Sequence, residues 1–375
     1  MKKILFTATV QSHICLFHLH VMKMLKEKYG CEIHVAARDN LMEKKGLQLD
    51  HYDKSFSIPF TRSPISKNNI KAYKMLKNLI KENEYDVIHC NTPVGGILSR
   101  MAAKSVGKKD LKVIYTAHGF HFFKGAPKKN WVLFYTLEKY FSKFTDVLIT
   151  INKEDYNIAK QKFKAKKTEY VPGIGVDIPK FRDVSVDIVE KRKELGVPKD
   201  AFLVLSVGEM SVRKNQEVVI KAISKTKKDD IYYVICGVGA LEDYLKELAK
   251  KEGLEDRFIL GGHRRDIQEI CKMADVFVFP SLQEGLPVAL MEAMASGLPV
   301  IASDIRGNVD LIEDGKGGFL VNPYDVDRIC DKINFIYNDK SMNESFREFN
   351  EEKIKNFGKD VVLSKMEEIY KEVLK

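Results

Sequence analysis

Short, dense apolar runs alternate along this chain with longer amphipathic stretches, and that alternation limits its fold more than any other feature. KILFTATV, EIHVAAR, DVIHCN, KVIYTAH and DVLITIN occupy the first half; LVLSVG, YYVICG, FILGG, VFVFPS and PVIAS occupy the second. Their apolar residues are contiguous, as expected of strands buried on both faces. Helical patterns lie between them, at 71–81, 215–222, 241–250 and 288–296. Repeated strand–helix units predict an α/β chain of two parallel sheets with helices on both sides. Open sheets of this kind bind ligands beyond the carboxyl ends of their strands. Functional residues are therefore expected just after strands.

The 375 residues suit two to three domains. Gly and Pro punctuate VPGIGVDIPKF, 171–181, so we expect a first domain over 1–178, a second over 179–358 and a terminal helix over 359–375. No apolar run reaches the roughly 18 residues of a membrane-spanning helix. The opening run stops at Gln11 without a small-residue cleavage site, which reads as a buried strand. The six cysteines form no CxxC pair and sit among apolar residues, so buried free thiols in a reducing compartment are expected. Charge is uneven. Residues 1–178 hold 31 Lys+Arg against 16 Asp+Glu, although the whole chain is only +10. A basic front half suggests an anionic partner there.

SLQEGLPVALMEAMASGLPVIAS, 281–303, places Glu284 at the mouth of a helix and Glu292 about two turns along it. Proline suits a helix start. The free N–H groups of Gly285, Leu286 and Val288, with the helix dipole, would make an anion site. A carboxylate beside bound phosphate should accept hydrogen bonds from neutral hydroxyls, such as those of a sugar. Glu292, roughly 7 Å further along the axis than Pro287 at about 1.5 Å per residue, could chelate the vicinal hydroxyls of a ribose. VLSVGEMSVRKNQEVVIKA, 204–222, runs strand, Gly208, then Arg213 and Lys214 before a helix. Cations are unfavourable at a helix N-terminus unless an anion joins them. YTAHGFHFFKG, 115–125, sets His118 at a strand end, with His121 close by.

The Glu-x7-Glu segment resembles the signature of retaining glycosyltransferases of family 4, which have the GT-B fold: two Rossmann-like domains facing across a cleft. Segment 204–222 is similar to that family's Gly-Arg-Leu…Lys-Asn stretch, whose basic residues stabilise the leaving diphosphate. Lys214 and Asn215 match it. Glu209 stands where the early arginine usually is, which makes Arg213 the second cation. The resemblance implies that His118 and Glu284 orient the donor sugar and Glu292 holds the ribose. It further implies that the loop GGHRRD, with His263, Arg264, Arg265 and Asp266, holds the base mainly through backbone groups, and that the last helix crosses back to the first domain. PKKNWVLFYTLEKYF, IHCNTPVGG and SHICLFH resemble the capsule and exopolysaccharide subgroup, which implies acceptor contacts at Ser12, His13, Gly95 and His121. TATVQSHI replaces the glycine-rich loop often found after the first strand.

The expected reaction is retaining transfer of a hexose-type sugar from a nucleotide diphosphate sugar, with UDP preferred and GDP open. The acceptor is lipid-diphosphate-linked or a saccharide. No cofactor or metal is expected: the only Asp-x-Asp string, Asp325-Val-Asp327, reads as helix-capping acids. The lysine-rich segments 71–81 and 161–167 suggest peripheral contact with anionic inner-leaflet lipids on the cytoplasmic side. Nucleic acid is not expected, because no RNP, zinc or basic-zipper pattern occurs. Two alternatives remain open: a sugar-nucleotide epimerase of the same fold, and a non-catalytic partner subunit.

Overall fold

The computed structural model describes residues 1–43, 46–63 and 66–375. The chain forms two compact units, Met1–Ile174 with Val362–Lys375, and Gly175–Val361. The division at Ile174 lies four residues before the expected 178. The reason is local: Val176 forms a parallel bridge with Gly358, its N–H donating to Phe357 O at 2.9 Å. That bridge ties the start of the second unit to its end. The helix Lys359–Val373 begins in the second unit and belongs to the first from Val362 onward.

The first unit holds β1 (Lys3–Val10), β2 (Glu32–Arg38), β3 (Lys54–Ser57), β4 (Val87–Asn91), β5 (Lys112–Ala117), β6 (Val147–Thr150) and β7 (Lys167–Tyr170). They form one parallel sheet in the order β3-β2-β1-β4-β5-β6-β7. The second unit holds β8 (Phe202–Val207), β9 (Ile231–Cys236), β10 (Phe258–Gly262), β11 (Val276–Phe279), β12 (Val300–Ser303) and β13 (Gly318–Val321), in the order β10-β9-β8-β11-β12-β13. Both orders reverse at one point, between β1 and β4 and between β8 and β11. Loops leaving neighbouring strands in opposite directions open a crevice there.

Two cores sandwich the first sheet. Ile4 and Phe6 of β1 pack on one face with Met22, Leu25, Met366 and Tyr370. Leu5 packs on the other with Ile88, Tyr115 and Phe122. Both faces being apolar explains why the central strands read as unbroken apolar runs. The second face also holds a buried ion pair. Arg100 Nη2 donates to Glu138 Oε2 at 2.9 Å, Tyr115 donates to Glu138 Oε1 at 2.8 Å, and Arg100 Nε donates to Gly96 O at 2.9 Å. All six cysteines are buried and unpaired. Asp325 caps its helix, accepting from the Arg328 N–H at 2.9 Å. Among the described residues no helix is long and apolar enough to cross a membrane.

Candidate active site

In the second unit, the switch point brings the loop after β8 against the loop after β11. The Leu282 N–H donates to Arg213 O at 2.8 Å and pins the two together. Asn215, at φ +56°, reverses the first loop, and its Nδ2 donates to Pro280 O at 3.2 Å and Pro323 O at 2.8 Å. The two cations consequently converge on one carboxylate: Arg213 Nη1 and Lys214 Nζ each donate to Glu284 Oε1 at 2.8 Å. Arg213 also donates to Gln283 O at 3.0 Å. The Lys214 side chain is only 13% exposed, whereas that of Arg213 is 43% exposed. Burial lowers the Lys214 pKa, opposed by Glu284. Gly208 gives Lys214 its room, since a Cβ there would lie 3.1 Å from Lys214 Cε. Glu209 is exposed.

The helix Val288–Ala295 has Pro287 as its N-cap. The start matches the expected 288, but the N–H groups differ: Gly285 and Leu286 precede the helix, and the open N–H groups of its first turn belong to Val288, Ala289 and Leu290. The loop before it is clamped from below. Arg306 donates to Glu284 O through Nε at 3.1 Å and Nη2 at 3.0 Å. Gly307, at φ +84°, lies so close that a Cβ would stand 2.3 Å from Gly285 O. Sequence reasoning missed Arg306, Gly307 and the role of Asn215 in holding the loop. All three work through backbone carbonyls, which leave no side-chain pattern; the signal available was an Arg-Gly pair just after a strand. Glu292 lies one helical turn on from Val288 and is half-buried. Burial pushes its pKa up to about 7, against the opposing charges of Lys180 and Lys359.

In the 263–266 loop, Arg264 Nε donates to Asp266 Oδ1 at 2.8 Å, and Lys191 bonds Asp266 at 2.9 Å and Glu269 at 2.7 Å. The Arg264 guanidinium, with Lys191, holds the Asp266 carboxyl well below the usual range. Both side chains are thus committed within the network, while His263 and Arg265 are exposed.

The first-unit residues fare differently. Ser12 is buried and reciprocally tied to Asn40, its N–H donating at 3.0 Å and its Oγ accepting at 2.9 Å. Gly95 is buried too; a Cβ there would meet Thr92 Oγ1 at 2.8 Å and the β1 backbone at 3.2 Å. Both side-chain positions are packed within the first unit. His121 is exposed and stacks on Phe134 with ring centroids 4.6 Å apart. His13 and His118 meet edge to face at 4.5 Å, beside His18, which sequence reasoning passed over.

Comparison with known proteins follows the same division. The family described as glycosyl transferases group 1 matches residues 187–353, and glycosyl transferase 4-like matches residues 3–152. A protein of Bacillus subtilis (strain 168) named as a glycosyltransferase, EpsD, is 39% identical over 98% of this chain and 96% of its own length. UDP-Gal:alpha-D-GlcNAc-diphosphoundecaprenol alpha-1,3-galactosyltransferase of Escherichia coli is 33% identical over 79% of this chain and 78% of its own. Among solved structures, Anabaena Alr3699/HepE in complex with UDP and glucose superposes with a TM-score of 0.79 at 21% identity, covering 99% of this chain and 100% of that one.

Proposed function

Because the chain belongs to the group 1 glycosyl transferases of family 4, with the GT-B fold, we propose that it moves a hexose-type sugar from a UDP-sugar to a lipid-diphosphate-linked or saccharide acceptor, with retention at the anomeric carbon. The coarser statement, a glycosyltransferase of exopolysaccharide or capsule assembly, follows from its relatives. The finer one rests on the convergence of Arg213, Lys214 and Glu284 before the helix start at Val288.

Two cations, one carboxylate and a helix N-terminus leave the loop net positive. An arriving diphosphate can take Arg213 and Lys214 and the open N–H groups. Glu284 is then released to accept hydrogen bonds from the sugar hydroxyls, in a loop that Arg306 and Gly307 hold still. Negative charge grows on the departing diphosphate in the transition state, where preorganised donors act most strongly. The chemistry we propose puts no metal on the diphosphate, because the two side-chain cations fill that role. Glu292, once ionised, chelates the ribose hydroxyls, and the backbone of residues 263–266 holds the base. A UDP donor is supported by the name of the E. coli relative, as is a diphosphate-lipid acceptor.

The basic first unit is the proposed acceptor side, peripheral to the inner face of the membrane. Exposed Ile70 and Met75 lie among Lys67, Lys71 and Lys74, and exposed Val132 and Leu133 follow Lys128 and Lys129. Such surfaces suit anionic lipid, each well-placed basic residue adding about 1 kcal/mol. Co-sedimentation with anionic vesicles at low salt tests this, and no pelleting would refute it.

The donor site is tested by titrating UDP into the wild-type chain and Lys214→Ala. Weakened binding in the variant is expected; unchanged affinity would refute the assignment. Donor turnover without any acceptor would point instead to an epimerase.

A further inference from the structure

The loop 263–266 leaves β10, the edge strand of the second sheet, which pairs only with β9. The strand ends irregularly. Its register shifts between Leu260 and Gly262, and Gly262 turns the chain at φ +66°. A loop at such an edge has neighbouring strands on one side only, so its support must come from elsewhere. Its side chains alternate: His263 and Arg265 are exposed, while Arg264 and Asp266 are half-buried.

Asp266 is the N-cap residue of the helix Ile267–Met273, yet its carboxylate makes no bond to that helix's N–H groups. An Asp in this place ordinarily accepts one and stabilises the helix. Here both oxygens are used elsewhere. Oδ1 accepts from Arg264 Nε at 2.8 Å, and Oδ2 accepts from Lys191 Nζ at 2.9 Å and from Arg264 Nη2. Lys191 also lies 2.9 Å from Glu194 Oε2 and 2.7 Å from Glu269 Oε2, and its side chain is only 14% exposed. Three carboxylates occupy the three donors of its ammonium. Arg264 Nη2 donates to Glu194 Oε1 at 2.5 Å and closes the network. The next residue, Arg192, grips the far end of the same helix. Its Nε and Nη2 donate to Met273 O at 3.2 and 2.7 Å, and Nη2 donates to Asp275 Oδ2 at 3.1 Å. Lys191 and Arg192 thus fasten both ends of Ile267–Met273 to the helix Ile188–Glu194.

Ion pairs near a surface add little to stability, and this network forgoes a helix cap. What it gains is a fixed backbone over 263–266. A backbone that reads a base must present its N–H and C=O groups in one arrangement before the ligand arrives. Otherwise the loop is ordered at the moment of binding, which costs about tenfold in affinity for each residue ordered.

We propose that Lys191 is a positioning residue for the donor base: through Asp266 it holds the 263–266 backbone ready, and so sets how strongly the second unit prefers one base over another, without touching the donor. The inference rests on the reading that this loop holds the base. Lys191 is not a third phosphate cation beside Arg213 and Lys214, because its ammonium is fully engaged by carboxylates.

The test titrates UDP, GDP and inorganic pyrophosphate into the full chain as wild type, Lys191→Met, Lys191→Arg and Glu194→Gln. Lys191→Met should weaken UDP binding by about tenfold or more and narrow the preference between UDP and GDP, while pyrophosphate, which meets only Arg213 and Lys214, binds within about twofold of wild type. Lys191→Arg keeps a cation among the carboxylates and should recover most of the loss. Glu194→Gln should show the same pattern more weakly, and it decides the matter if Lys191→Met fails to fold. Equal weakening of UDP and pyrophosphate would mark a merely structural role and overturn the proposal. So would UDP affinity and base preference that stay unchanged in Lys191→Met and Glu194→Gln. Failure of the underlying reading looks different: the wild-type chain itself would bind pyrophosphate as tightly as UDP, and the proposal would fall with it.

Discussion

Glu292→Gln offers a test in which stability and binding move in opposite directions. The carboxyl sits half-buried on the helix Val288–Ala295, and burial raises its pKa from 4.5 to about 7. Lys180 and Lys359 pull the other way, and the buried Cys271 thiol lies near it. In the unfolded chain the group ionises near its ordinary value; in the folded chain it holds its proton until about pH 7. Between those values the unfolded state binds fewer protons, so stability falls as pH rises and levels off above 7. The shift corresponds to at most about 3 kcal/mol at about 1.4 kcal/mol per pH unit. Gln carries no such burden. The melting temperature of Glu292→Gln should therefore match wild type near pH 4.5, exceed it increasingly up to about pH 7, and hold a nearly constant lead above that. For a unit of this size the gain reaches at most roughly 6–12 °C, at about 2–4 °C per kcal/mol. UDP binding should show the reverse. If the ionised carboxylate chelates the ribose, wild-type affinity falls towards tenfold per pH unit below 7, while the variant binds weakly at every pH. Differential scanning calorimetry and UDP titration from pH 5 to 8 give both readouts. A gap in melting temperature that stays constant across pH would refute the burial argument. UDP affinity unaffected by the substitution would refute the ribose assignment.

Glu284→Gln should leave UDP affinity equal or higher, because Arg213 and Lys214 lose their internal partner, while kcat falls about 100-fold as the sugar loses its orientation; parallel titration and initial-rate measurements check this. Gly307→Ala, placed at φ +84° with its Cβ 2.3 Å from Gly285 O, should cost about 1–3 kcal/mol in urea unfolding and weaken donor binding by shifting the 284–286 loop. Arg100→Met leaves Glu138 buried without its cation and should cost about 3–5 kcal/mol; adding Glu138→Leu should recover much of that loss in the same denaturation assay.

The sequence displayed those elements whose surroundings are simple. β1, β4, β8 and β11 are central and apolar on both faces, so their runs are unbroken. β3 and β7 escaped notice because edge strands have one neighbour and exposed side chains; KSFS and KTEY carry no apolar run. β13, GFLV, is apolar but only four residues long. Arg213, Lys214 and Glu284 stood out because such charges are unfavourable or unexplained at a helix start. Their mutual pairing did not, because the two segments lie 70 residues apart and meet only through strand order. Arg306, Asn215 and Gly307 act on backbone carbonyls or through positive φ and leave no pattern of residue types. His18 carried no signal of its own, because only the fold brings it beside His13 and His118.

The central claim is transfer of a sugar from UDP to an acceptor with retention. The most direct measurement incubates the full chain with labelled UDP-hexoses and UDP-N-acetylhexosamines, each with and without a polyprenyl-diphosphate-linked sugar, and reads product anomeric configuration by NMR. The account predicts label in the lipid fraction for one donor, dependence on acceptor and on Lys214, and the donor's own anomeric configuration. An inverted product, or donor consumed equally without acceptor, would contradict it.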